Sequence, residues 1–232
     1  MAAAGLYPMR FAEILKDWGY GKRWMVECFR KSGLPDQHSL SETWEVSDRP
    51  GESSRILNGP LEGKTLGEAI ALHGEALLGR QVVARSGLRF PLLIKFLDVS
   101  NVLNEQAHHD DELARKRGLP DPGKTESWYI VKTRPGAFLE LGSRPGITRQ
   151  EVLEALFKGQ SRSCMVRQQV QAGDSFLLHA GTMHYGEGGV LFYEIMQNSM
   201  AHISLRYDRM GDTPQQVEES ALKAIDGIHL ED

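Results

Sequence analysis

Gln106, His108, Glu126 and His184 are the side chains of this sequence whose types together could do metal chemistry. They supply two imidazoles, a carboxylate and an amide oxygen. That mixed nitrogen and oxygen set suits Zn²⁺ or another divalent metal, with positions left for water or substrate. In Asn104-Glu-Gln-Ala-His-His-Asp-Asp111, an extended backbone puts Gln106 and His108 on one face, because side chains alternate with a period of two. His109 then points the other way, and Asp110 or Asp111 can cap a following helix. Glu126 opens an apolar strand, where its carboxylate points with Trp128 and Ile130. His184 ends Gly173-Asp-Ser-Phe-Leu-Leu-His-Ala-Gly-Thr-Met-His184, which reads as a strand, a tight turn and then a histidine. No short spacing links the four. Taken singly, a histidine of this kind is more often a hydrogen-bonded core residue or a surface group than a metal ligand.

A second motif invites phosphate chemistry and fails on context. Gly118-Leu-Pro-Asp-Pro-Gly-Lys-Thr125 matches the G-x-x-x-x-G-K-T pattern of a nucleotide-binding loop. That loop needs a strand before it and a helix after it, so that amides at a helix N-terminus cradle phosphate. Here a basic helix precedes and a strand follows, and two prolines remove amide donors.

The elements that must position these residues are mostly short strands. They are expected at residues 43–47, 82–84, 92–97, 128–131, 137–141, 175–178 and 190–195, separated by Gly, Pro, Asp and Asn. Residues 48–54 and 58–63 read as turns. Helices are expected at 22–30, 65–73, 110–117, 148–157 and 214–224. Thr65 with Glu68 and Thr148 with Glu151 form capping boxes, and acidic residues near the start of the last helix suit its dipole. The pattern is mainly β with a few helices, a jelly-roll sandwich or barrel. Residues 1–232 read as one domain with helical segments at either end.

Composition excludes whole classes of partner. Lys and Arg number 27 against 31 Asp and Glu, a formal charge of −4, with no basic cluster interleaved with aromatics, so no nucleic acid is expected. The longest apolar run, Phe90-Pro-Leu-Leu-Ile94, is broken by Lys95 and is far short of the ~20 residues of a spanning helix. Met1-Ala-Ala-Ala-Gly-Leu-Tyr-Pro8 lacks the charged and apolar regions of a signal peptide. Cys28 and Cys164 lie far apart, which excludes a disulfide scaffold and makes a reducing cytoplasm the default.

Seven segments resemble the type I mannose-6-phosphate isomerases (phosphomannose isomerases) of the cupin superfamily. They are Glu42-Thr-Trp-Glu-Val-Ser47, Asn58-Gly-Pro-Leu-Glu-Gly-Lys-Thr-Leu66, Arg89-Phe-Pro-Leu-Leu-Ile-Lys-Phe-Leu-Asp98, Gln106-Ala-His108, Gly123-Lys-Thr-Glu-Ser-Trp-Tyr129, Gly181-Thr-Met-His184 and Glu194-Ile-Met-Gln-Asn-Ser199. They follow the family's order from about residue 8 to 209. Residues 173–184 also resemble a second cupin motif, with His179 where proline is usual.

The resemblance implies a metal-dependent aldose–ketose isomerase that interconverts mannose 6-phosphate and fructose 6-phosphate through a cis-enediol. Carried over residue by residue, the metal ligands are Gln106, His108, Glu126 and His184. Glu194 is the preferred base, with His109 or Asp111 as alternatives, and Lys124 is the electrostatic partner. Lys124, Arg206, His109 and Asp111 are the implied substrate contacts.

Three departures qualify this. Counted from Glu194, Ser204 stands where the family places an arginine that is catalytic or binds substrate, and Arg206, the candidate for that catalytic role here, lies two residues on, about 6.6 Å along an extended chain. Either Arg206 recovers that role or it is a surface residue and the substrate differs. His109 replaces a proline beside a ligand. The family's usual C-terminal β domain is absent after Asp208, which would leave a surface for a second copy of the chain to cover as a homo-oligomer. Two other functions therefore stay open: an isomerase of a different, unphosphorylated sugar, and a cupin that binds a sugar or metabolite without turnover.

Overall fold

The computed structural model describes residues 5–31, 40–206 and 213–230. The start of the segment read for a signal peptide (residues 1–4), and Tyr207 and Asp208, lie outside the described residues. In chain order the elements are β1 (Ile14–Lys16), α1 (Trp24–Phe29), β2 (Glu42–Val46), β3 (Asp48–Arg49), β4 (Glu52–Ser53), α2 (Leu66–His73), α3 (Glu75–Leu78), α4 (Arg80–Ser86), β5 (Leu92–Val99), β6 (Val102–Ala107), α5 (Asp111–Lys116), β7 (Glu126–Thr133), β8 (Phe138–Ser143), α6 (Arg149–Phe157), β9 (Met165–Gln169), β10 (Ser175–Leu178), β11 (His184–Glu187), β12 (Val190–Gln197), β13 (Ile203–Ser204) and α7 (Pro214–Ile225).

Two antiparallel sheets face one another. One has the order β1-β2-β5-β12-β7-β10, the other β13-β6-β11-β8-β9, and β3 and β4 form a separate hairpin. The expected jelly-roll architecture takes the sandwich form rather than a closed barrel. Period two decides what points inward. On β12, Val190, Phe192, Glu194 and Met196 are buried on one face, and on β7 Glu126, Trp128 and Ile130 are buried while Ser127 and Tyr129 are exposed. Trp128, Ile130, Phe192 and Leu97 meet Leu103 and Leu139 of the other sheet in the central core. A fully buried side chain of this size contributes about 1.5–3 kcal/mol.

The outer faces are covered by helices. Val152 and Leu156 of α6 and Ala221, Ala224 and Ile225 of α7 pack with Met183, Tyr185 and Leu205 on the five-stranded side. Trp24 and Met25 of α1 pack with Leu191 on the other side. The capping boxes at Thr65 and Thr148 form as expected. A third, Thr213 with Gln216, starts α7, whose acidic residues fall beyond its first turn.

One expected strand is a helix. Residues 82–84 lie inside α4, bounded by Gly79 and Gly87 and fully buried nowhere. Val82 and Val83 carry the β-branched signal, but Arg80, Gln81, Ala84 and Arg85 favour helix and no sheet neighbour is available to pair. Among the described residues, no helix is long and apolar enough to cross a membrane.

Candidate metal centre and active site

A cavity of about 410 Å³ opens between the sheets, lined by side chains of both. Gln106 lies on β6, opposite His184 of β11, and His108 follows just beyond the end of the strand. Glu126 reaches the same place from the first position of β7 in the opposite sheet. His108, Glu126 and His184 each offer a ligand atom, all within 4.8 Å of one another. Glu126 Oε1 stands 3.6 Å from His108 Nε2 and 3.5 Å from His184 Nε2.

Backbone carbonyls fix the imidazoles. His108 Nδ1 donates to the Ala201 carbonyl at 3.2 Å, and His184 Nδ1 to the Thr182 carbonyl at 3.0 Å. A carbonyl can only accept, so the proton sits on Nδ1 and Nε2 turns a lone pair inward. His184 Nε2 and Glu126 Oε1 are buried without a hydrogen-bond partner. Such atoms are costly to leave unpaired, and a divalent cation between them would satisfy both. Burial, then the Lys124 ammonium, lowers His108 to about 3, and burial lowers His184 as well. Burial is the largest single influence on Glu126 and opposes its ionisation, but Lys124, His108 and His184 together hold the carboxyl well below its ordinary range. Neutral imidazoles and an ionised carboxylate are the protonation states a metal requires. The donor set fits the ion the family implies.

Beside this cluster runs a buried chain of alternating charge. Lys124 Nζ lies 2.7 Å from Glu126 Oε2 and 3.4 Å from Glu194 Oε1. Lys95 Nζ lies 3.7 Å from Glu194 and 3.2 Å from Glu42. Glu42 also accepts from Trp44 Nε1 at 2.7 Å and from the Tyr20 hydroxyl. Burial pushes Glu194 up to about 7 even though Lys124 and Lys95 pull it down. Burial works against the charge of Lys124, yet Glu126 and Glu194 raise it above the ordinary lysine value. A carboxylate titrating near neutrality beside a fixed ammonium can take up and return a proton.

The structure therefore brings together Gln106, His108, Lys124, Glu126, His184 and Glu194. Three other expected residues lie elsewhere. Arg206 is exposed beyond β13, outside the cavity lining, whereas Ser204 lines the cavity. His109 faces away as the alternation of side chains predicts, its Nε2 2.9 Å from Arg117 Nη1. Asp111 staples the loop: its Oδ1 accepts the Gly123 amide at 2.8 Å and the Gln197 amide nitrogen at 3.3 Å. Asp110 is the cap of α5, accepting from Leu113 N at 2.7 Å.

The nucleotide-loop lookalike is a close crossing. A Cβ on Gly123 would sit 2.5 Å from the Asp110 carbonyl carbon, so glycine lets the chain pass α5 and deliver Lys124 and Glu126. The sequence reading missed Glu42, Lys95 and Tyr20 as members of the site. Their signal was present: Lys95 sits between Leu93 and Leu97 at an inward position of an apolar strand, and Glu42 shares a face with Trp44.

Residues 7–128 match the family model for the phosphomannose isomerase type I catalytic domain. The chain is 33% identical over 225 residues to the "Probable mannose-6-phosphate isomerase GmuF" of Bacillus subtilis, covering 97% of this chain and 69% of that one. It is 33% identical over 198 residues to the mannose-6-phosphate isomerase ManA of the same organism, covering 85% and 61%. The crystal structure of the mannose 6-phosphate isomerase from Bacillus subtilis superposes with a TM-score of 0.79 at 28% identity, covering 96% of this chain and 68% of that one. Sequence and fold agree, and the chain belongs to the type I phosphomannose isomerase family of aldose–ketose isomerases.

Proposed function

We propose that the chain interconverts mannose 6-phosphate and fructose 6-phosphate, with Gln106, His108, Glu126 and His184 holding a divalent metal, Zn²⁺ in the first instance. The observation that carries this reading is the contact of Glu194 with Lys124, itself 2.7 Å from the candidate ligand Glu126. The reaction moves a proton between C1 and C2 through a cis-enediol. When bound, the metal supplies polarisation of the C1 and C2 oxygens. Glu194, ionised, takes the weakly acidic carbon proton and returns it to the neighbouring carbon. Lys124 keeps a positive charge where negative charge develops on the substrate. Lys95, 3.7 Å from the same Glu194 oxygen, supports its ionised form. Trp128, buried with its ring edge-on to His184 at 5.4 Å, gives the cavity an apolar wall beside the candidate ligands.

The proposed site is built from the two facing sheets and the loops that join their strands, which supports a single catalytic domain for residues 1–232. The partner is a small sugar or sugar phosphate. Free thiols at Cys28 and Cys164 suit a reducing cytoplasm. The test is turnover of mannose 6-phosphate by metal-replete protein, with solvent exchange of the C2 proton followed in parallel. Failure to exchange that proton in mannose 6-phosphate, free mannose, lyxose and ribose alike would leave a binding protein without turnover.

A second reading rests on Ser204. It lines the cavity where the family places an arginine, and Arg206 does not. An unphosphorylated aldose is then the better substrate, and the ratio of rates on mannose and mannose 6-phosphate separates the two.

A further inference from the structure

We infer that the ion pair of Arg49 with Asp121 is a latch that positions His108 and Lys124 together, through residues 198–201 and the loop leading into β7. Arg49 ends β3, in a hairpin that the sequence presents only as turn residues, and it lies outside the cavity lining. Its Nη2 is 3.0 Å from Asp121 Oδ2, with both side chains largely shielded. Its Nη1 donates to the Asn198 backbone carbonyl at 3.3 Å and to Asn198 Oδ1 at 3.2 Å. One planar fork thus grips two segments that are remote in sequence, a geometry open to arginine and not to lysine.

Asp121 extends the grip. Its Oδ2 accepts the Met200 amide at 2.8 Å, and next to it Ser199 Oγ donates to the Pro122 carbonyl at 2.8 Å. The Ala201 amide donates in turn to Ser199 Oγ at 3.3 Å. Residues 199–201 are therefore laced to 121–122. Ala201 supplies the carbonyl that fixes the Nδ1 proton and ring orientation of His108. Three residues after Asp121 the same loop delivers Lys124, whose Nζ is 3.3 Å from His108 Nε2. Without Arg49, the Asp121 carboxylate loses its countercharge and residues 198–201 lose two tethers. His108 then loses the fixed carbonyl that aims its lone pair. Outer partners of this kind typically change metal affinity by about 10–100-fold.

The inference rests on His108 being a metal ligand. Its test uses the full chain carrying Arg49→Ala, Asp121→Asn or both, with Zn²⁺ affinity read by competition against a chromophoric chelator and the Tm of the metal-free protein measured beside it. Each single variant should weaken Zn²⁺ binding by about 10–100-fold. The double variant should bind no more weakly than the singles, because both break one device. Unchanged affinity in both singles overturns the latch, as does a double variant whose loss is the product of the two. If Arg49→Ala does not fold, Arg49→Lys keeps the charge without the fork and is read by the same criteria. An unaltered protein that binds no Zn²⁺ would overturn the metal-site reading and this inference with it. Unchanged affinity across the variants overturns this inference alone.

Discussion

The Lys124 ammonium lies 3.4 Å from the Glu194 carboxylate, and both are buried. Lys124 comes from the loop before β7 and Glu194 from the middle of β12, the strand beside it. Lys95 approaches the same oxygen, Glu194 Oε1, at 3.7 Å, so one carboxylate oxygen lies near two ammonium groups. Burial still lifts it to about 7, a value that suits the proposed base, since such a group must take up and return a proton near neutral pH.

Replacing that carboxylate tests its role directly. Glu194→Gln should retain stoichiometric metal while turnover falls by a factor of about 10²–10⁴, the usual scale for general acid–base catalysis. Metal analysis beside a steady-state assay measures both, and undiminished turnover would remove Glu194 from the mechanism.

The ligand assignment makes a separate claim. His184→Ala removes an imidazole whose Nε2 is buried and unpartnered, and the variant should lose most of its bound metal. Elemental analysis after dialysis checks this. Stoichiometric metal in His184→Ala would require a different ligand set.

Protons and metal compete for the same lone pairs. Because His108 is lowered from 6.5 to about 3, its imidazole stays neutral as pH falls through the ordinary histidine range. Glu126 is lowered too and stays ionised. Metal should therefore remain bound down to about pH 5 and be released only in stronger acid. Chelator competition across pH measures this, and release centred on the ordinary histidine value would contradict it.

Lys95 sets the pH dependence of the base. Its charge lowers the pKa of Glu194, so Lys95→Met should raise it further. Glu194 acts only when ionised, and the acid limb of the rate profile should move to higher pH. The same substitution leaves Glu42 and Glu194 buried without their shared partner and should cost about 3–5 kcal/mol of stability. A pH–rate profile and a denaturant titration report the two effects independently.

Gly123 carries a backbone claim. A methyl group there would press on the carbonyl carbon of Asp110 and the amide nitrogen of Asp111, each 2.5 Å from the added Cβ. Gly123→Ala should destabilise the fold by about 1–3 kcal/mol, read as a lowered Tm. Activity should fall as well, because the loop that delivers Lys124 must move.

The sequence carried the strands well wherever one face is buried and the other open. Period-two burial on β7 is visible in the residue pattern, and it placed Glu126 on the inner face with Trp128 and Ile130, whereas Glu194 came from the family resemblance. It failed at residues 82–84, where two valines lack a sheet to join and their flanking residues prefer helix. Lys95 and Glu42 escaped because a buried lysine is legible only once its carboxylate partners are known. Those partners come from other strands, β2 and β12. Arg206 escaped for a different reason. Its offset from the family position is two residues, which on a strand preserves the face, but β13 ends at Ser204 and the alternation no longer governs where Arg206 lies. The Arg49–Asp121 contact joins residues 72 apart, and neither residue stands in a recognisable motif.

The candidate ligands are divided between the layers of the sandwich: Gln106 and His184 belong to the five-stranded sheet, and Glu126 to the six-stranded one. An ion held by both is a cross-link as well as a reagent. It ties the two halves of the core at the depth where their strands would have to part on unfolding. By linkage, metal present at 100 times its Kd would add about 2.7 kcal/mol to the folded state. Thermal resistance of this chain is then a function of the free ion concentration around it, and a chelator acts on its lifetime as well as its chemistry.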